Sequence, residues 1–325
     1  MDREPGGQPA HCVVAMARPL PVLINRGGGK AASLGDSLCG DIEAAFAGSG
    51  RTIQLELIDG NEIADAVGRH ADAPLIVVGG GDGTLSVAAA VLAGRRTALG
   101  ILPLGTRNHL ARQLGVPLDL AGAAKVAVGG QRRRIDLAAA GSRVFINNAS
   151  FGIYTRFVRM RDSLAGPRWL DALPAALHVL RHMRAQAFPL RINGMGKMLT
   201  TPLLFVANNE YAIDARHLGQ RASLSEGELA VYAIAAQRPL GVIGMAARAL
   251  AGLARPERDF GLHGTAREIV IDGEGLIEGA FDGELELMQL PLVIRSLPGA
   301  LGVVTPREAA GAGELSGATL IDRLR

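Results

Sequence analysis

Aromatic residues are scarce in this chain: one Trp, three Tyr and eight Phe amount to 4% of it, although hydrophobic residues as a whole reach 48%. Cysteine is scarcer still, with Cys12 and Cys39 alone. Neither stands in a CxxC or Cys/His spacing, which excludes a zinc site and a disulfide framework and leaves ordinary thiols in a reducing compartment. A charge surplus is missing as well. Lys plus Arg number 34 against 31 Asp plus Glu, a formal net charge of +3, which argues against a dedicated nucleic-acid binder. No window supplies the roughly 18 uninterrupted apolar residues of a membrane span. The nearest, PLGVIGMAARALAGLARP at 239–256, is interrupted by Arg248 and reads as an amphipathic helix. The opening MDREPGGQPAHC has no basic-then-apolar run, so it is not read as a signal peptide. The expectation is a soluble, cytoplasmic chain that touches a membrane surface peripherally.

Glycine, by contrast, is abundant at 43 residues, without the three-residue period of collagen. Up to about residue 130, short apolar runs alternate with helical patterns. The runs are LPVLIN (20–25), TIQLELI (52–58), PLIVV (74–78) and ALGIL (98–102); the helical patterns lie around 34–47, 61–70, 84–93 and 118–128. This is the beat of βαβ units around a parallel sheet buried on both faces. Ligands bind such sheets at the carboxyl ends of the strands, so Asn25 and the turns at 79–84 and 103–108 should share one edge. From about residue 132 the rhythm changes to β segments joined by turns, with helical stretches near 156–185 and 239–254. The predicted architecture is a parallel α/β layer up to about residue 130, followed from about residue 132 by a mainly antiparallel sandwich or barrel.

The stretch LIVVGGGDGTL (75–85) carries the first chemical signal. A strand entering a glycine-rich turn and leaving as a helix points several backbone N–H groups at one anion, and the helix N-terminus adds partial positive charge. Glycines let the backbone approach a phosphate without Cβ clashes, and Thr84 is placed to cap the helix or touch the phosphate. Asp82 repels a phosphate unless a cation lies between them, which points to Mg²⁺ with a nucleotide. Neither GxxxxGK[ST] nor GxGxxG is met, so a Walker loop and a Rossmann fingerprint are set aside.

GGDGT at 80–84, followed by ILPLGTRNHLAR at 101–112, resembles the diacylglycerol kinase catalytic family, which includes bacterial lipid kinases, diacylglycerol kinases and sphingosine kinases. The likeness continues through RRIDL (133–137), INNASFGIY (146–154), SLSEGELAVY (223–232) and FDGELEL (281–287). It implies a phosphofructokinase-like or NAD-kinase-like α/β nucleotide-binding domain at 18–131, with about 298–325 returning to it, a mainly antiparallel β-sandwich domain for the lipid at 132–297, and a site in the cleft between them. ATP would be the phosphate donor and a lipid at a membrane surface the acceptor. No protein partner is implied, a homodimer being left open.

Carried over by position, the resemblance makes Asn25, Gly27, Gly28 and Gly29 the first phosphate-side loop. Gly80, Gly81, Asp82, Gly83 and Thr84 become the nucleotide loop, with Ser86 just beyond it and Thr106 as a second polar contact. Glu284 falls at the place of the catalytic base, with Asp82 as the other catalytic residue. A structural Mg²⁺ would take the carboxylate of Glu226 and the carbonyls of Ser223 and Glu228, with Asp136 coupled to it through water. Departures from the family pattern are Ser86 for an Asn, Arg107 for a small residue, His109 for an acid, and Ser225 for the first Asp of a DDG turn. Two rivals stay open: an NAD kinase-like enzyme, which shares GGDGT, a β-rich second domain and an element like NNE at 208–210, and, on account of Ser86 and Ser225, a lipid- or nucleotide-binding protein that has lost catalysis. Plainer readings also stand: Glu284 as a solvent-facing hairpin residue, His109 as a cap, and Asp136 paired with Arg132, Arg133 or Arg134. The arginines of 156–186, around Trp169, read either as a solvated face or as a surface for anionic head groups.

Overall fold

The computed structural model describes residues 18–153, 155, 184–211, 221, 223–236, 241, 242, 244 and 260–307. Its first apolar runs form strands β1 (Leu20–Asn25), β2 (Ile53–Ile58), β3 (Leu75–Gly80) and β4 (Ala98–Pro103), all parallel and ordered β2-β1-β3-β4. Between and after them run α1 (Gly29–Leu34), α2 (Leu38–Ala47), α3 (Ile63–Arg69), α4 (Asp82–Leu92), α5 (His109–Gln113) and α6 (Leu120–Gly129). Strands β1, β3 and β4 are buried along almost their whole length, which is why they read as continuous aliphatic runs. Edge strand β2 instead interposes Gln54 and Glu56 between apolar residues.

Helix α6 lies close on β4, because a Cβ at Gly100 would stand 3.1 Å from Ala127 Cβ. Asp119 caps that helix by accepting the Gly122 N–H at 2.7 Å. Ile42, Ile63, Leu85 and Leu92 are fully buried in this layer, each side chain contributing about 1.5–3 kcal/mol by leaving water.

The later strands are β5 (Gln131–Ala140), β6 (Arg143–Phe145), β7 (Asn148–Gly152), β8 (Gln186–Ile192), β9 (Met195–Thr201), β10 (Leu203–Asn208), β11 (Leu229–Ile234), β12 (Phe260–Ala266), β13 (Glu268–Ile271), β14 (Leu276–Phe281), β15 (Glu284–Gln289) and β16 (Leu292–Thr305). The first sheet does not stop at β4. Gly302 and Val303 of β16 pair in parallel with Ala98 and Leu99 on one edge, while β16 runs antiparallel to β5, these two residues included, and to β13. Strands β8 and β9 continue the sheet beyond β13. A second sheet, ordered β12-β11-β10-β7-β14-β15, is antiparallel throughout.

The antiparallel part of the first sheet packs on the second, enclosing Phe145, Phe151, Phe188, Val206, Ile269, Phe281 and Ile294. Phe151 meets Phe281 edge to face with centroids 6.0 Å apart, one of the aromatic contacts that fill the space between the two sheets. The protein is therefore an α/β layer joined to a mainly antiparallel β-sandwich. Most of the helical stretches expected near 156–185 and 239–254, Trp169 with its arginines, and the tail after Arg307 lie outside the described residues.

Candidate active site

Three loops meet at the carboxyl ends of β1, β3 and β4. The glycine turn is shorter than its sequence suggests: Gly79 and Gly80 still belong to β3, Gly81 is the N-cap, and α4 starts at Asp82. Packing accounts for the first two glycines, since a Cβ at Gly79 would lie 2.5 Å from Ile24 Cδ1 and one at Gly80 2.6 Å from Thr84 Cβ. Thr84 does not cap α4, which has no side-chain cap; its buried hydroxyl accepts the Asn25 Nδ2 hydrogen at 2.8 Å. Asn25 Oδ1 in turn accepts the Gly27 N–H at 3.0 Å, shaping the loop through Gly27 and Gly28.

The next loop is drawn in as tightly. Gly29, at φ +52, leaves no room for a Cβ beside the Leu104 carbonyl, and a Cβ at Gly105 would come within 2.4 Å of Gly81 Cα. Asn108, buried and left-handed at φ 52, accepts the Gly105 N–H at 2.9 Å and donates to the Gly105 carbonyl at 2.8 Å. Thr106, Arg107 and His109 stay exposed around it. Asp82 Oδ1 accepts the Leu110 N–H at 3.2 Å, tying α4 to α5. The result is a shallow cradle of glycine backbone, with the unpaired N–H groups of the α4 N-terminus on its floor.

Glu284 reaches this cradle from the sandwich. A Cβ at Gly83 would lie 3.1 Å from Glu284 Oε1, so the carboxylate stands against the first turn of α4. It is about half exposed (54%) and accepts a hydrogen bond from Arg143 Nη2 at 2.6 Å. Its hairpin turns on Asp282 (φ 49) and Gly283 (φ 90), and Phe281 pairs with Glu284 across a two-residue loop. The Asp282 carboxylate accepts the N–H groups of Ile146, Asn147 and Asn148 at 2.8, 2.7 and 3.2 Å and the Ser86 hydroxyl at 2.7 Å. Ser86, expected among the nucleotide contacts, is therefore buried with its hydroxyl already committed, and it joins α4 to the hairpin instead.

Asp136 is buried beneath the 223–228 turn. Its Oδ1 accepts the Gly299 N–H at 2.7 Å, and its Oδ2 accepts the Gly227 N–H at 2.6 Å and Asn209 Nδ2 at 3.1 Å. This geometry is not a pairing with Arg132, Arg133 or Arg134, and Oδ1, which holds one hydrogen bond, retains a lone pair for a water. Asp136 anchors the turn. On the turn itself Glu226 is exposed, Ser223 is half-buried, and the Glu228 carbonyl accepts the Asn209 N–H at 2.9 Å. One carboxylate with main-chain oxygens is the hard donor set that Mg²⁺ accepts, and a carbonyl already holding one hydrogen bond retains a second lone pair.

The sequence reading passes over four residues that hold these parts together: Asn108, Arg143, Arg221 and Asp282. Arg221 is buried and spans the halves, donating to Gln113 Oε1 on α5 (2.7 Å from Nη2), to the Ile146 carbonyl (2.7 Å) and to Asn147 Oδ1 (3.3 Å). Burial pushes its guanidinium below the ordinary arginine value, against the weaker pull of Tyr211, Asp282 and Asp136. Asp282 leaves a local signal, the Asp-Gly hairpin dipeptide, and Asn108 acts within its own turn on Gly105 and Pro103; Arg143 and Arg221 act across the chain and leave none.

Residues 19–140 match the family model described as "Diacylglycerol kinase catalytic domain", and residues 150–305 match the "YegS C-terminal NAD kinase beta sandwich-like domain". Among curated relatives, the "Probable lipid kinase YegS-like" protein of Klebsiella pneumoniae (strain 342) is 32% identical over 162 residues, 47% of this chain and 54% of the relative. The protein of the same description from Yersinia pestis (strain Pestoides F) is 38% identical over 117 residues, 31% of this chain and 40% of the relative. The chain thus spans about half the length, or less, of these curated relatives. A crystal structure of a diacylglycerol kinase from Bacillus anthracis str. Sterne superposes with a TM-score of 0.63, covering 88% of this chain and 96% of that one at 20% identity, and so shares the fold.

Proposed function

This chain belongs to the diacylglycerol kinase catalytic-domain family, and from that premise we propose that it transfers the γ-phosphoryl group of ATP to the hydroxyl of a lipid held at a membrane surface. The observation that supports this most is the approach of Glu284 to Gly83. It sets a carboxylate from the sandwich beside a glycine cradle with room for phosphate oxygens. Residues 18–131 form the nucleotide side in this reading and 132–297 the lipid side.

Asn25, Gly27, Gly28, Gly29, Gly80, Gly81, Gly83, Thr84 and Thr106 form the nucleotide side of the cradle in this reading, and Asp82 would hold a metal that accompanies the phosphates. Bound Mg²⁺ would neutralise phosphate charge there, and a second Mg²⁺ would be held at the 223–228 turn by Glu226 with the Ser223 and Glu228 carbonyls. Glu284 takes the proton as the lipid oxygen bonds to the γ-phosphorus and the bond to the β-phosphate oxygen breaks. Arg143 holds the Glu284 side chain in place for that transfer. Such general-base help contributes about 10²–10⁴-fold in rate.

The test is a radiolabelled ATP assay of the wild type and Glu284→Gln against diacylglycerol, a sphingoid base, a glycerophospholipid, a polyprenol and NAD. Label in a lipid, lost by two or more orders of magnitude in Glu284→Gln with ATP affinity retained, supports the reading. Label in NAD alone favours the NAD kinase-like alternative. ATP or lipid binding without any turnover favours a lapsed enzyme.

A further inference from the structure

A cavity of about 330 Å³ opens at the C-terminal end of α5, away from the end that meets Asp82. Its walls come from α5, β5, the last residue of β16 and the 223–225 segment, and among its described lining residues are four arginines and no carboxylate. Exposed arginines on a strand are usually a solvated face, but two features here are not of that kind. The first is Arg221, a buried guanidinium whose acceptors Gln113, Ile146, Asn208 and Asn147 are all neutral groups. Asp136 and Asp282 act on that charge from the protein side, and on the cavity side among the lining residues no carboxylate does. The second is Thr305, which lines the same cavity at 3% exposure with a hydroxyl that has no hydrogen-bond partner. Buried hydroxyls without partners are rare enough that each calls for one.

The outer walls complete the arrangement. Arg112 spends its Nε on the Arg107 carbonyl (3.1 Å), and Arg134 spends its Nε on the Gly299 carbonyl. Their terminal nitrogens have no partner among the described residues. Guanidinium groups held by one nitrogen present the fork that suits phosphate oxygens. We infer that this cavity is a second anion site, separate from the glycine cradle, which takes a phosphate monoester or inorganic phosphate between Arg112 and Arg134, with Arg221 adding positive charge from behind and Thr305 donating from its floor. The site stands whether or not Glu284 is a catalytic base.

Calorimetric titration of the full chain with inorganic phosphate, alongside sedimentation with phosphatidylcholine vesicles with and without phosphatidate, tests this. The wild type should bind phosphate, and Arg112→Gln should weaken that binding roughly ten-fold, the loss of one charge-assisted contact. Thr305→Val, which keeps shape and removes only an unpartnered hydroxyl, should weaken it several-fold. Arg132→Gln, a charge loss on the same strand but outside the cavity lining, should leave it unchanged. Vesicle binding that needs phosphatidate and is displaced by phosphate assigns the anion to a lipid headgroup; phosphate binding without vesicle binding assigns it to a soluble phosphate. Either result supports the site. Phosphate binding that is equal in wild type, Arg112→Gln and Thr305→Val belongs to the glycine cradle and overturns it, as does the absence of any phosphate binding.

Discussion

The chain uses the dipeptide Asp-Gly twice at its candidate site, at 82–83 and at 282–283, for opposite purposes. Asp82 opens a helix, accepts one N–H at 3.2 Å and keeps its other oxygen unengaged. Asp282 stands in the left-handed region at φ 49 and takes three N–H groups and a hydroxyl. One carboxylate is left available for chemistry and the other is spent on holding two layers together. The dipeptide is the same, but its flanks, GGDGTL and AFDGEL, start a helix in one place and a hairpin in the other, and tertiary folding supplies the different neighbours.

The sharpest way to break that comparison is at Asp82. Asp82→Ala should abolish turnover and yet shift unfolding free energy by less than about 1 kcal/mol, since only one long hydrogen bond is lost. Denaturant midpoint and turnover measured on one preparation decide it; a folded Asp82→Ala protein with near-normal turnover removes Asp82 from the metal side. Asp282→Ala should behave in reverse order. Losing an acceptor shared by three backbone donors and Ser86 should cost about 2–4 kcal/mol, visible as a lower midpoint with unchanged denaturant slope.

The glycines sharpen the contrast at smaller scale. Gly283→Ala must adopt φ 90 and should lose about 1–2 kcal/mol, although open space surrounds it. Gly83→Ala lies in a helix and should gain up to about 1 kcal/mol of helix propensity. Its Cβ, however, would press on Glu284 Oε1 at 3.1 Å, so turnover should fall roughly ten-fold or more by displacing the carboxylate. If Gly83→Ala is both more stable and fully active, the contact between the nucleotide loop and Glu284 has no catalytic weight.

Much of this molecule is legible along the chain, because strand identity follows from which residues can be buried on both faces. LPVLIN, LIVV and ALGIL are read correctly as buried parallel strands, and the antiparallel rhythm after residue 132 is read correctly as a sandwich. The continuity of the first sheet is not legible. It depends on β16 pairing with β4 in parallel at Gly302 and with β5 and β13 in the other sense, and no local pattern encodes a partner. Ser86 shows the same limit: its place beside GGDGT suggests a ligand contact, while its actual partner is Asp282.

What the sequence determines by itself is therefore local. It sets the alternation of buried strand and helix, the glycine turn at the end of β3, and the Asp-Gly hairpin that presents Glu284, because each rests on backbone freedom and burial within a few residues. Tertiary structure decides the meetings: Glu284 with Gly83, Asp282 with Ser86, Asp136 with Gly227 and Gly299, and Arg221 with Gln113. Each joins groups far apart in the chain, and such contacts form only once the sheets have closed the distance and excluded the water that would otherwise satisfy them.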